Sequence, residues 1–66
     1  MKVSYDPEVD IVRILLSDAP IVESDESKPG VIMDYDAQGH LVGLEVLDAS
    51  HRISDPRRVE VAVAAG

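Results

Sequence analysis

Sixty-six residues give room for a single domain, residues 1–66, and a chain of this length buries only about 60% of the surface its unfolded form exposes. Cysteine is absent, which excludes disulfide support and thiolate zinc sites and leaves self-association as the expected source of added stability. Thirteen acidic against six basic residues give a formal charge of −7, which repels nucleic-acid phosphates and anionic lipid and suits a basic protein partner.

Met1-Lys2-Val3-Ser4-Tyr5 enters strand-like sequence without a signal-peptide core, and no apolar run approaches the ~20 residues of a membrane span. The chain therefore reads as cytoplasmic and without membrane contact. Lys2 to Tyr5 forms a short alternating strand, and Asp6-Pro7-Glu8 supplies the turn after it. Val9 to Leu16 is the returning strand, with Val12, Ile14 and Leu16 on one side and Ile11, Arg13 and Leu15 on the other. Ile21-Val22 reads as a brief strand, Glu23 to Lys28 as a polar connection, and Pro29-Gly30 as a turn. The longest patterned stretch follows, VIMDYDAQGHLVGLEVLDAS from Val31 to Ser50. Apolar residues alternate on both sides of Asp36-Ala37-Gln38-Gly39, as in two strands joined by a tight turn. Asp36 and Gly39 are the structural turn residues, Gly39 with positive φ.

Asp48 to Ile53 predicts one helical turn capped by Asp48 or Ser50 and stopped by Pro56. Val59, Val61 and Val63 alternate with Arg58, Glu60 and Ala62, predicting a last strand. A shift of thirty residues lays Tyr5 on Tyr35, Asp6 on Asp36, Val12 on Val42 and Asp18 on Asp48, so the chain reads as two related hairpins. The expected fold is mainly β: a small antiparallel β-meander of five or six short strands with one short helix.

The chemistry-bearing residues are few. Asp34, Asp36, Gln38, Gly39, Leu41 and Glu45 fall at positions 1, 3, 5, 6, 8 and 12 of an EF-hand loop. The flanks Val31-Ile32-Met33 and Val42-Gly43-Leu44 are β-type rather than helical, so the favoured reading is a hairpin whose aspartates bond turn amides and solvate the sheet edge. A divalent-metal site on Asp34, Asp36 and Glu45 is kept as the alternative function. A zinc or manganese set from His51, Asp48 and Glu45 is disfavoured against solvated polar side chains. Ser50 beside His51 suggests hydrolysis only in the linear sequence, because adjacent side chains on a helical turn point apart and no oxyanion hole is evident. Asp34 and Asp36 are paired carboxylates in a sheet too small to offer an obvious pocket. Arg52, Arg57 and Arg58 are the one basic cluster, and without Phe or Trp they read as a salt-bridging edge rather than a nucleic-acid surface. The chain is expected not to be an enzyme and to need no cofactor.

The motif YD…D at Tyr5-Asp6 and Asp10, followed by DYD-x-x-G-x-LVG-x-E-x-L-x-AS from Asp34 to Ser50, resembles the DUF2283 family of small bacterial and archaeal proteins. The resemblance implies a compact β-rich fold and no particular activity, and it leaves residues 56–66 outside its pattern.

Two apolar faces remain to be accounted for. With Val12, Ile14, Leu16, Val42, Leu44 and Val46 on one side, the residues Ile11, Leu15, Ile32, Leu41 and Leu47 lie on the other, which a sheet with one solvated face would not show. The expectation is that the 48–53 turn covers this second face in part and another chain covers the rest, Gly43 marking a close approach. The function expected is a non-enzymatic protein–protein interaction module, acting as a homodimer, with an antitoxin-like pairing to a small basic protein as its concrete version.

Overall fold

The computed structural model, which describes residues 1–65, shows five strands in one antiparallel sheet with one short helix. They are β1 (Lys2–Asp6), β2 (Ile11–Leu15), β3 (Glu23–Lys28), β4 (Val31–Tyr35), β5 (Leu41–Leu47) and α1 (Ala49–Arg52). The mainly β, antiparallel class expected from the sequence is the class observed. Within the sheet the order is β1-β2-β5-β4-β3, so the chain crosses after β2 to the far edge and returns through β4 to lay β5 against β2.

The thirty-residue relation between the hairpins is visible in their registers. In the first, Lys2, Val3 and Ser4 stand opposite Leu15, Ile14 and Arg13; in the second, Ile32, Met33 and Asp34 stand opposite Glu45, Leu44 and Gly43. Each partner is thirty residues on. The turns match as well: Glu8 N–H donates to Asp6 Oδ1 at 3.0 Å and Gln38 N–H to Asp36 Oδ1 at 2.9 Å, the same Asx turn in both. The hairpins join at β2 and β5, where Ile14 faces Leu44. They diverge at Val42, an extra residue that shifts the β4–β5 register so that Tyr35 meets Leu41. Val42 is itself fully buried, and its carbonyl accepts from Leu16 N–H at 2.7 Å.

Four local expectations are corrected. Val9 lies in the turn, not in a strand, and β2 begins at Ile11 after Asp10 in the left-handed region at φ 58°. The third strand is not Ile21-Val22 but the polar run after it, an edge strand with every residue exposed, which carries no apolar alternation because neither of its faces is covered. Val59 to Val63 form no strand and are exposed, since alternation gives a segment a face but not a neighbour to pair with. Neither Asp48 nor Ser50 caps α1: Asp48 is left-handed at φ 52° with no side-chain capping bond, and Ser50 lies inside the helix.

The first face of the sheet carries Val3, Tyr5, Val12, Ile14, Met33, Leu44 and Val46 by register. The residues that follow β5 lie over it. Ala49 is fully buried, Ile53, Pro56 and Val59 share a groove with Val3, Val12 and Ile14, and the Arg57 guanidinium stands 5.6 Å from the Tyr5 ring centre. The helical turn expected on the second face thus covers the first, because Ala49 N–H bonds the Asp10 carbonyl at 2.9 Å and so turns the chain to that side.

Candidate functional site

The second face is built by the same registers. Ile11, Arg13 and Leu15 of β2 stand opposite Leu47, Glu45 and Gly43 of β5, and Glu45 and Gly43 stand opposite Ile32 and Asp34 of β4. The result is an apolar surface of Ile11, Leu15, Ile32 and Leu47 crossed by a polar row, Arg13, Glu45, Asp34 and, on β3, Ser24. Four of the five residues expected on the interaction face are placed together. Leu41, the fifth, stands at the start of β5 beyond the bulge and is 39% exposed.

The polar row has an enclosed centre. Asp34 is 1% exposed and is the buried charged residue of the described chain. Its Oδ1 accepts the Ser24 hydroxyl at 2.6 Å, while its Oδ2 has no hydrogen-bond donor. Gly43 stands opposite it, and what requires glycine there is the β2 backbone: a Cβ would lie 2.8 Å from the Ile14 carbonyl oxygen, against an ordinary contact of 3.7 Å to Asp34 Oδ2. Glu45 lies beside it, half-buried, and its carboxyl is pushed above the usual range first by burial, then by the Asp34 carboxyl next to it, with Arg13 opposing. Asp34 is therefore not the solvated edge residue that the hairpin reading expected.

At one end of the sheet lies a second cluster, centred on Asp10. Its Oδ1 accepts the Tyr5 hydroxyl at 2.7 Å and Ser50 N–H at 2.9 Å, and its Oδ2 accepts the Ser50 hydroxyl at 2.6 Å. Asp10 thus supplies, from forty residues away, the capping acceptor that α1 lacks locally. The Ser50 hydroxyl, followed by that of Tyr5, holds the Asp10 carboxyl below the usual carboxylate range, and the same bond to Asp10 raises the Tyr5 phenol. Ser50 and His51 do not point apart as expected, for Ser50 Oγ lies 3.3 Å from His51 Nδ1. That nitrogen also faces Asp10 Oδ2 at 3.9 Å, so one ring atom stands near both neighbours, and the Ser50 hydroxyl donates to Asp10.

Asp36 is used within its turn, where its Oδ1 accepts Gln38 N–H and His40 N–H at 2.9 Å each. The His40 amide is the main reason its carboxyl sits below the usual range. Gly39 has φ 82°, as expected. Asp34, Asp36 and Glu45 are not assembled into one cluster, and among the described residues no three His, Asp or Glu side chains are arranged to hold a metal ion. The basic residues are dispersed: Arg58 pairs with Glu60, Arg57 lies over Tyr5 and Arg52 packs on Gly30. No helix of the described residues is long and apolar enough to cross a membrane.

Asp10 was legible as part of a motif but not as a helix cap, because its partner lies forty residues on. The enclosure of Asp34 needed the pairing of Ser24 and Gly43 with it, which only the register supplies.

A family model described as a protein of unknown function, DUF2283, matches residues 2–50. No curated protein and no solved structure matches the chain.

Proposed function

Because this chain belongs to the DUF2283 family, whose description assigns no activity, its role is argued from its surfaces, and we propose that it is a non-enzymatic interaction module that pairs with a second copy of itself through the second face of the sheet. One observation carries the reading: α1 and the segment after it lie over the first face, while Ile11, Leu15, Ile32 and Leu47, which the registers gather on the second, are left only half-buried. Surface area supports it. The accessible surface is 5090 Å², against about 4,100 Å² for a folded monomer of this mass, an excess that the exposed Val59 to Val63 segment and β3 share with the second face. Shape agrees, since the radius of gyration is 12.9 Å, where about 11 Å is usual for this length.

A small basic protein, masked by this acidic chain in the manner of an antitoxin, is the other occupant that the charge would suit. Glu23, Asp25 and Glu26 are all exposed on β3, which is where such a partner would find them.

Sedimentation equilibrium decides the matter. The parent should be a dimer, Leu15→Asp a monomer because a carboxylate cannot be left unpaired in an apolar contact, and Glu8→Lys, in the first turn, should behave as the parent. Circular dichroism on the same samples confirms that each variant keeps its sheet. A parent that is monomeric at high concentration would sink the reading.

A further inference from the structure

The polar row that crosses the proposed interface contains an oxygen with no donor. Asp34 Oδ2 is enclosed by its neighbours, and the Ser24 hydroxyl is spent on Oδ1. A buried carboxylate oxygen of this kind calls for a proton donor within reach. Of the groups that face it, Ser24 on β3 is already used and Gly43 on β5 has no side chain. Glu45, two residues on from Gly43 on the same face of β5, has its carboxyl beside that of Asp34 and can donate only when it carries a proton.

We propose that pairing of two copies takes up one proton at Glu45 of each, the carboxyl then donating to Asp34 Oδ2 so that both oxygens of the buried Asp34 carboxylate have a donor. The inference rests on the second face being the homodimer interface. Its physical basis is that a second copy removes water from Glu45, and loss of water favours the neutral acid. The free chain is already inclined that way, its half-buried Glu45 being held above the usual range by burial and by Asp34. Arg13, directly across from Glu45 on β2, acts in the opposite sense. Lys2 and Asp6 stand on the same face one strand further, on β1, opposite Leu15 and Ile11. On β3, Glu26 is bonded to Gly30 N–H at 3.0 Å, away from the row.

The test is the dimer dissociation constant as a function of pH, measured by sedimentation in about 0.3 M salt so that general repulsion between acidic chains is screened. Each proton taken up on association contributes up to about tenfold per pH unit, so the parent should bind itself at least ~10-fold more tightly at about pH 5.5 than at about pH 7.5. Glu45→Gln should be tight at both values, because its amide donates to Asp34 without a proton. Asp34→Asn should bring the Glu45 carboxyl back toward the usual range, read from its side-chain carbon shift by NMR. A parent dimer whose affinity is flat with pH, or a Glu45→Gln dimer that keeps the parent's slope, overturns the inference and leaves the homodimer standing. A parent monomeric at every pH overturns both.

Discussion

Three carboxylates are shifted from their usual range in the folded chain, and their directions differ. Asp10 and Asp36 have folded pKa values below the usual range, so the stability they contribute is present above the unfolded carboxylate value of about 4 and is lost as pH falls through that window. Glu45 is shifted upward, so its favourable contribution is present at low pH and is lost as pH rises past its unfolded value toward its folded one. Chemical denaturation across pH should therefore show greatest stability on the mildly acid side of neutrality. In Asp10→Asn the loss below about pH 4 should be shallower than in the parent, and Asp10→Ala should melt several degrees lower, because the hydroxyls of Tyr5 and Ser50 and the Ser50 amide lose their acceptor. Gly39 is a simpler case, with φ 82° and open space around it. Gly39→Val should cost about 1–2 kcal/mol through backbone strain alone and Gly39→Asn less, read as the difference between two thermal melts. The Gly39 turn was legible from its residue types, since a glycine three residues after an Asx-forming aspartate needs no tertiary context. Asp10 was not, because a cap supplied across forty residues leaves no local pattern.

At the scale of elements, strands were legible wherever one face is covered and illegible where none is. β2, β4 and β5 alternate because neighbours on both sides fix which residues turn inward. β3 pairs with β4 alone and is tied to it further by the Ser24 hydroxyl on Asp34, so its side chains Glu23, Ser24, Asp25, Glu26 and Ser27 owe nothing to apolar periodicity. The reverse error occurs at Val59, Val61 and Val63, whose alternation is regular but finds no neighbouring strand. The β2–β5 seam has a close backbone approach at Gly43. Gly43→Ala would drive a Cβ to 2.8 Å from the Ile14 carbonyl oxygen, which is backbone and cannot swing aside. The expected cost is about 1–3 kcal/mol, visible as a lower urea midpoint with an unchanged slope.

The whole molecule is a slab of 37 × 33 × 19 Å that carries a charge of −7. Two such slabs repel, so apolar self-pairing should strengthen as salt rises from about 0.02 M to about 0.5 M, whereas binding to a basic protein should weaken over the same range. Sedimentation of the chain alone, and titration with a basic partner, read these opposite signs directly. The hairpin repeat carries a different consequence, one for how the chain finds its structure. Each hairpin closes through contacts near in sequence and can form in about 1–10 μs, but β2 and β5 can meet only after the segment from Leu16 to His40 has been looped out. The docking of two prefabricated halves is then the slow event. Truncations at the Ile14–Leu44 seam should retard refolding, while softening the Ala49–Ser50 tie to Asp10, made after the halves have met, should chiefly hasten unfolding.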